Sequence, residues 1–381
     1  MVKVCHVTSV HQAADDRIYY KECRSLAAAG YEVHIVSFGD SELPHVICDN
    51  CKRISGGRGK RFLLGRKQII KKALSVHADI YHFHDPELLS YAKLMKRCGK
   101  IVIFDSHEDV PVQILSKTWI PSLLRKPISC VYEKYQKRCM KYVDAVIAAT
   151  DLIQEKFAKY HHETLAIHNY PCINEIYGGE TNFETRKLIV CYAGGISYNR
   201  GEQTMISAIQ ETKGTLYIAG KHEKEQVAGG KVQYCGFLDR EEVNELYANS
   251  ICGLVVLRPT KAYVESLPVK MFEYMSAGIP VVASDFPYWK SIIDKEKCGI
   301  CVDPLNVQAV SSAINLFLDN PKLAEEYGQR GKKAVLEQYN WEQETKKLLE
   351  LYLKLIVKNE ILMENMASNV AEFKRKNLSR E

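Results

Sequence analysis

The sequence contains the segment Glu265-Ser-Leu-Pro-Val-Lys-Met-Phe-Glu273, continued by Tyr-Met-Ser-Ala-Gly-Ile-Pro-Val-Val-Ala-Ser-Asp285. Pro268 suits the first position of a helix, because the backbone donor that proline lacks would be unpaired there. Gly278 is a typical helix stop, and the apolar run Val281–Ala283 after it predicts a buried strand. The pattern therefore predicts a helix that leads into a strand, the repeating unit of α/β sheets.

Two carboxylates flank the start of this predicted helix. Glu265 precedes the helix, and Glu273 lies about a turn and a half inside it. At ~1.5 Å per residue, the distance from Pro268 to Glu273 is roughly 7.5 Å. Because a helix N-terminus binds phosphate, one acid can accept from hydroxyls on each side of a diphosphate docked there. This layout suits a nucleotide-sugar.

Short apolar runs alternate with helical patterns along the whole chain, which predicts two open parallel sheets of Rossmann type. We place a first domain at 1–175, a second at 187–340, a linker at Pro171–Arg186, and a helix with a tail at 341–381. The predicted strands are Val2–Val7, Val33–Phe38, Ile80–His84, Ile101–Asp105, Ala145–Ala149, Leu188–Ala193, Leu216–Ala219, Gly253–Leu257 and Val281–Ala283. In addition, Cys298-Gly-Ile-Cys301-Val-Asp-Pro is typical of a turn that enters a strand.

The Glu-x7-Glu spacing, with its helix and the Gly-x-Pro-Val-Val-Ala-Ser strand, resembles the donor-site signature of a large family of retaining glycosyltransferases. That family, the GT-B enzymes of family 4 or group 1 type, includes bacterial mannosyltransferases and glycogen synthases, and the similarity extends to about residue 355. The resemblance implies two facing Rossmann-like domains, a donor and acceptor cleft between them, and a C-terminal helix that packs back across it. It also implies a nucleotide-sugar donor (UDP- or GDP-sugar) and no cofactor. The chain has no Asp-x-Asp pair, the Mg²⁺ ligands of the other common glycosyltransferase architecture, so we expect no metal.

A glycine-rich loop, Tyr192–Gly201, follows a predicted strand and precedes a helix, so its backbone can approach a phosphate closely. In the resembled family this loop usually carries two basic residues. Arg200 matches the second of these, whereas Gly195 stands where the first is expected. We therefore expect Lys270 to supply the second cation, with Arg258 as the reserve candidate.

The resemblance also assigns roles around the Glu273 helix. It implies that Glu273 holds the ribose and Glu265 the transferred sugar. The backbone amides of Leu267 and Val269 remain available to the diphosphate, whereas Pro268 has no N–H.

Polar residues follow the predicted strands of the first domain. His107 aligns with the histidine of the family that reaches the donor sugar near the reacting carbon. His84 ends the preceding strand and is expected to shape the acceptor side, although it could equally be a hydrogen-bonded core group. Asp16 and Arg17, in the first loop, are candidates for contact with the acceptor or the donor phosphate.

The basic residues are concentrated in the first half of the chain. Residues 1–170 contain 26 Lys and Arg against 18 Asp and Glu, a net charge of +8, and the remainder contains 26 against 28, a net charge of −2. Lys52–Lys72 has nine basic residues and no acid, and Pro121–Val143 reads as a basic amphipathic helix. Both suit an anionic membrane surface and hence a lipid-linked glycan acceptor. The alternative is a solvated helix and a loop, and nucleic acid is not expected because no binding module is present.

We interpret the chain as a retaining, metal-independent glycosyltransferase that builds a cell-surface polysaccharide, such as a capsule or exopolysaccharide, or a glycolipid. Two alternatives stay open: a non-catalytic partner that scaffolds an active transferase, and a nucleotide-sugar 2-epimerase. The thirteen cysteines have no disulfide-like spacing, and no segment resembles a signal peptide or a membrane span. We therefore expect a cytoplasmic protein, peripheral on the inner face of the membrane.

Overall fold

A computed structural model describes residues 1–53, 58–117, 119–175, 183–221 and 229–378, with only the backbone described for 58–62, 185, 363 and 365–378. The chain divides into two compact units. The first unit comprises Met1–His168 and Glu344–Glu381, and the second comprises Asn169–Gln343. Each unit contains one sheet whose strands are all parallel.

The first unit has a seven-stranded sheet in the order β3-β2-β1-β4-β5-β6-β7. The order reverses between β1 and β4, and the carboxyl ends of strands at such a switch point form the usual ligand crevice of an open α/β sheet. A π-helical segment, Asp16–Cys23, leads into α1. The other elements are β1 (Lys3–Val7), α1 (Arg24–Ala28), β2 (Glu32–Phe38), β3 (Ile47–Cys51), α2 (Arg58–Ser75), β4 (Ile80–Phe83), α3 (Ala92–Arg97), β5 (Ile101–Ser106), α4 (Val110–Ser116), α5 (Ser122–Cys139), β6 (Ala145–Ala148), α6 (Asp151–Ala158) and β7 (Thr164–Ala166).

The second unit has a six-stranded sheet in the order β10-β9-β8-β11-β12-β13, with its switch point between β8 and β11. Its elements are β8 (Ile189–Ala193), α7 (Glu202–Gln210), β9 (Thr215–Ala219), β10 (Val232–Gly236), α8 (Arg240–Asn249), β11 (Ser250–Val255), α9 (Lys261–Val264), α10 (Val269–Ser276), β12 (Val281–Ser284), α11 (Pro287–Glu296), β13 (Gly299–Val302), α12 (Val307–Asp319), α13 (Pro321–Glu337) and the start of α14 (Trp341–Leu378).

Gly278 ends α10 as predicted, whereas Pro268, which the sequence suggested as the first helical residue, lies one residue before the helix begins. Pro268 is the N-cap, and Gly278 follows the last turn with a φ of 71°. The Ile279 amide donates to the Tyr274 carbonyl at 3.0 Å, which closes the helix with the i to i−5 bond of a Schellman motif. The fully buried strand β12 follows.

The first change from one unit to the other occurs at His168, earlier than the predicted linker 171–186. Tyr170 already packs in the core of the second unit, with its ring 4.6 Å from that of Phe272. The Pro171 carbonyl accepts from the Trp341 amide at 2.9 Å. The structure therefore places the boundary before the predicted residue 175, because Tyr170 packs in the second core and Pro171 is hydrogen-bonded to Trp341 of the second unit. Part of the predicted linker, residues 176–182, lies outside the described residues.

Helix α14 begins in the second unit and continues in the first. The Glu344 carboxylate accepts from the His168 amide at 2.9 Å, and the Tyr352 hydroxyl lies 2.8 Å from Nδ1 of His82. Tyr352 is fully buried. The helix therefore supplies a core element to the first unit, and its backbone continues through the predicted tail to Leu378.

Within the residues that the structure describes, no helix combines the length and the apolarity needed to cross a bilayer.

Candidate functional site

Two cations of the second unit converge on the glycine pair that follows β8. A Cβ added to Gly194, whose φ is 143°, would lie 2.5 Å from Nζ of Lys270. A Cβ added to Gly195 would lie 3.6 Å from the guanidinium carbon of Arg200. Any side chain at the first glycine would therefore displace the lysine. The two residues that the sequence analysis selected as phosphate cations lie side by side here.

Tyr192 holds the lysine in this position. The Lys270 ammonium donates to the Tyr192 hydroxyl at 3.0 Å and lies 4.2 Å from the centre of its ring. The hydroxyl in turn donates to the Gly195 carbonyl at 2.8 Å. Burial, and then the positive charge of Arg200, lower the pKa of Lys270 to about 7, although Glu273 opposes the shift. A bound anion would favour the charged amine.

Arg200 ends a short 3₁₀ turn, Tyr198–Arg200, before Gly201. Gly201 has a φ of 75°, and a Cβ there would lie 1.7 Å from the Val256 carbonyl oxygen. Arg258, the reserve cation, lies elsewhere: its guanidinium stacks 4.3 Å from the centre of the Tyr198 ring. Arg200 and Lys270, and not Arg258, are thus the cations at the glycine pair.

Glu273 is fixed by two donors from α8. The Tyr247 hydroxyl donates to one carboxylate oxygen and an Arg240 nitrogen to the other, each at 3.0 Å. Tyr247 is fully buried, whereas Arg240 is 43% exposed. The carboxylate is therefore anchored on its inner side and paired at the surface with a cation that can move away.

The loop before α10 contains the remaining donor-side candidates. Glu265 is the C-cap of α9, and the next carbonyl, that of Ser266, accepts from Nε1 of Trp289 at 2.6 Å. Leu267 packs against the core of the second unit, and Val269 is the first residue of α10. Trp289 is fully buried, so this hydrogen bond fixes the backbone between the short helix and α10.

Arg17 occupies a different place from the one that the sequence suggested. Its guanidinium is 4% exposed and forms a bidentate pair with Asp105, at 2.8 and 3.0 Å, and it also donates to the Ile167 carbonyl at 2.8 Å. These partners engage its donors within the first unit, so a contact with an acceptor or with phosphate does not fit this position. Asp16, the neighbouring candidate, is half exposed and pairs with Lys21 at 2.9 Å.

His84 and His107 share one carboxylate at the carboxyl ends of β4 and β5. Nε2 of His107 lies 2.9 Å, and Nδ1 of His84 3.4 Å, from the same Asp105 oxygen. Burial opposes ionisation of Asp105, but Arg17 and then His107 hold its pKa well below the usual range. His107 is partly exposed. His84 is buried, which agrees with the alternative that it is a hydrogen-bonded core residue.

The predicted basic helix α5 buries only some of its apolar residues. Tyr135 and Cys139 pack on the first core. Ile128 and Val131, nearer the start of the helix, are 40% and 68% exposed. The exposed apolar side chains of this helix, here called the α5 strip, are Leu123, Leu124, Ile128 and Val131. The apolar side chains of α5 therefore contact the core only along the C-terminal half of the helix. Of the basic stretch Lys52–Lys72, residues 54–57 and the side chains of 58–62 lie outside the described part.

Sequence reasoning missed the partners that orient these residues. Tyr192, Tyr247 and Asp105 are buried anchors, and Arg240 is a long-range ion-pair partner. Only Asp105 had a local signal, since it is an acid inside an apolar strand pattern.

Two family models cover most of the chain. The model for glycosyltransferase family 4 matches residues 17–169, and the model for glycosyl transferases group 1 matches residues 174–334. The chain belongs to the group 1 and family 4 glycosyltransferases. The match to the group 1 model contains Arg200, Lys270 and Glu273 of this glycosyltransferase family member, and the family 4 match contains His107.

The sequence is similar to the phosphatidyl-myo-inositol mannosyltransferase of Mycobacterium leprae, with 29% identity over 36% of this chain and 37% of that protein. The chain spans less than half the length of the first curated relatives that it matches.

The fold is similar to that of sucrose-phosphate synthase from Thermosynechococcus elongatus, with a TM-score of 0.75, 18% identity and coverage of 94% of this chain and 100% of that one. Anabaena HepE, solved in complex with UDP-glucose, gives a TM-score of 0.71 at 13% identity over 93% and 100% of the two chains. These structures establish the GT-B fold, and the comparisons do not favour the epimerase or the scaffold.

Proposed function

We propose that this protein transfers a sugar, with retention of configuration, from a UDP- or GDP-sugar to a hydroxyl group of a lipid-linked cell-surface glycan or glycolipid. The observation that carries the proposal is the convergence of Lys270 and Arg200 on the glycine pair, with Glu273 anchored on the next helix. A diphosphate needs both the close backbone approach and the positive charge. The complex of HepE with UDP-glucose, in a chain of the same fold, supports a nucleotide-sugar as the donor.

In the proposed reaction, the bond between the anomeric carbon and the diphosphate oxygen breaks and the acceptor oxygen bonds to that carbon. The departing diphosphate takes the electron pair and accepts the acceptor proton on the same face, so no protein base is required. Negative charge accumulates on the leaving phosphate, and Arg200 and Lys270 would stabilise it. In this proposal two side-chain cations do what a divalent ion does in other transferases.

The other side chains have more limited roles. Glu273 would accept hydrogen bonds from the ribose hydroxyls after Arg240 swings away, while Tyr247 keeps the carboxylate in place. Glu265 would hold the transferred sugar, and the amides of Leu267 and Val269 would meet the diphosphate. His107 would act at the reacting end of the sugar.

The surface of the first unit supports a membrane-associated acceptor. The α5 strip leaves four apolar side chains exposed, and Lys126 and Lys134 of the same helix are exposed beside it. Trp119, just before the helix, is 69% exposed. Apolar side chains with lysines and a tryptophan are the composition of a segment that lies in an anionic membrane interface.

Donor binding tests the proposal directly. Thermal shifts would be measured with UDP-, GDP- and ADP-sugars in the presence of EDTA, on the wild type and on Glu273→Ala. We expect one nucleotide to stabilise the wild type, and a ~10- to 100-fold weaker apparent affinity in the variant, because hydrogen bonds to a carboxylate are worth about 1.5–3 kcal/mol.

Glu326→Ala, at an exposed position of α13, is the matched control and should bind as the wild type does. Equal shifts in Glu273→Ala and the wild type would contradict the ribose role. Failure of every nucleotide-sugar to bind the wild type would contradict the proposed donor class.

A further inference from the structure

Three histidines and one glutamate form a buried group at the carboxyl ends of β1 and β4. His6 lies on β1, His82 and His84 lie on and just after β4, and Glu22 lies on the π-helical segment. All four are at most 2% exposed. Each offers one nitrogen or oxygen atom, and these atoms all lie within 4.8 Å of one another.

The distances in this group are those of ligands around a common centre. Oε2 of Glu22 lies 3.9 Å from Nδ1 of His6, 3.8 Å from Nδ1 of His82 and 4.0 Å from Nε2 of His84. These separations are too long for hydrogen bonds, whereas Nδ1 of His6 and Nε2 of His84 share a hydrogen bond at 2.9 Å that an ion would have to replace. Two ligands that bind one tetrahedral ion at ~2.0–2.1 Å lie roughly 3.4 Å apart, so small movements would bring the atoms around an ion.

Glu22 has no hydrogen-bond donor in the described part of the chain. Neither of its carboxylate oxygens has a hydrogen-bond partner, and the same holds for Nε2 of His6 and of His82. Nε of Arg17 lies 3.2 Å from Glu22, but it donates to Asp105 at 2.8 Å. Since buried carboxylate oxygens without hydrogen-bond donors are costly, Glu22 requires a proton or a further cation besides Arg17.

The surroundings of His84 favour a cation. Its Nδ1 faces the Asp105 carboxylate at 3.4 Å, so Nε2 can be the unprotonated nitrogen that accepts from Nδ1 of His6 at 2.9 Å and that would bind an ion once that proton leaves. Metal-binding histidines usually have such a carboxylate behind them.

We propose that His6, Glu22, His82 and His84 bind one divalent transition-metal ion of the Zn²⁺ class as a structural site of the first unit. Four protein ligands complete a tetrahedral shell and leave no position for a substrate, so the ion stabilises the fold and takes no part in transfer. Nδ1 of His82 lies 2.8 Å from the Tyr352 hydroxyl, and coordination would replace that contact. The sequence-based expectation of no metal came from the missing Asp-x-Asp pair, which concerns the donor phosphate and not this site.

Metal content and stability test the site without reference to activity. Tag-free protein would be unfolded with guanidinium and a chelator, refolded with or without ZnCl₂, and passed through gel filtration. We expect about one equivalent of zinc by mass spectrometry, and a Tm higher by ~5–15 °C in the zinc-loaded protein. Refolding with CoCl₂ should give the visible absorption bands of tetrahedral Co²⁺.

The variants Glu22→Gln and His82→Gln should lose the metal. His161→Gln is the matched control: His161 is buried in the same unit, and its ring nitrogens face backbone carbonyls at 3.0 Å. It should keep the full metal content. Wild-type protein that retains less than about a tenth of an equivalent, with equal Tm in both preparations, would overturn the proposal and assign a proton to Glu22. Full zinc content in Glu22→Gln would contradict the proposal that Glu22 is one of the four ligands.

Discussion

At the scale of single residues, Lys270 makes donor binding depend on pH. Burial, and then Arg200, lower the pKa of its ammonium to about 7, and the negative charge of a diphosphate would raise it. Only the protonated amine stabilises the diphosphate. The affinity for a nucleotide-sugar should therefore be full below pH 7, fall as the pH rises above 7, and level off above the higher pKa of the complex.

Because the bound donor raises the pKa of Lys270, binding should be accompanied by uptake of a proton. Calorimetry from about pH 6 to about pH 9, in buffers of different ionisation enthalpy, measures this uptake. The phosphates of a nucleotide-sugar do not titrate in this range, so the uptake reports on the protein. Lys270→Arg keeps the charge at all these pH values and should bind with a nearly constant affinity. The same pH dependence in Lys270→Arg as in the wild type would contradict the assignment.

Gly201 allows the backbone to pass close to the Val256 carbonyl. Gly201→Ala places a methyl group 1.7 Å from that oxygen, at a φ of 75° that alanine rarely adopts. We expect a loss of about 3 kcal/mol or more in the free energy of unfolding, measured by urea denaturation. At Gly229 an added Cβ meets nothing within 4 Å. Gly229→Ala should therefore change the free energy of unfolding by less than about 0.5 kcal/mol. Similar losses in both variants would rule out the close contact as the cause.

The sequence could suggest the donor cations and could not suggest their anchors. Lys270 lies in the motif itself, so its place on α10 follows from the helix that the motif predicts. Tyr247 contacts Glu273 from another helix, and only the tertiary fold brings the two together. The wrong suggestion for Arg17 has the same origin, because its partner Asp105 is far away in the sequence.

At the scale of helices and strands, the predicted strands are those buried within each sheet. Three strands were missed, β3, β7 and β10, and all three are edge strands. An edge strand is only partly covered, so its residues need not form an apolar run. The sequence Ile-Cys-Asp-Asn-Cys of β3 has only one fully buried residue, its last. β13 is also an edge strand, and the turn at Cys298 had indicated it.

The α5 strip should determine membrane binding. Leu123 and Val131 are 89% and 68% exposed, so Leu123→Asp with Val131→Asp removes apolar contact area and adds negative charge without disturbing a core. We expect the wild type to float with vesicles of phosphatidylglycerol and phosphatidylcholine, and the double variant to lose most of this binding.

Leu316→Asp, on α12 of the second unit, is the control and should float as the wild type does, since Leu316 is exposed, at 42%, and lies outside the α5 strip. Undiminished flotation of the double variant would contradict a role for α5. Flotation with phosphatidylcholine alone would show that anionic lipid is not needed.

At the scale of the whole molecule, the last helix is part of the core of the first unit. Tyr352 is fully buried beside His82 and Tyr31, so Tyr352→Ala should lower the free energy of unfolding by about 3–5 kcal/mol. Leu353→Ala, at the next position and 60% exposed, is expected to cost less than about 0.5 kcal/mol. Urea denaturation followed by far-UV circular dichroism compares the two. Equal stability of Tyr352→Ala and the wild type would show that α14 is not required by the first core.

This shared helix also affects the order of events during synthesis on the ribosome. Protein domains usually fold as they emerge, the N-terminal one first. Here the contact between His82 and Tyr352 joins residues 270 positions apart, and the entire second unit is translated between them. The second unit can therefore complete its core before the ribosome has synthesised α14, the last helix that packs on the N-terminal sheet. A nascent chain stalled before α14 would expose the unfilled side of that sheet to chaperones, and the unit translated first would be the last to mature.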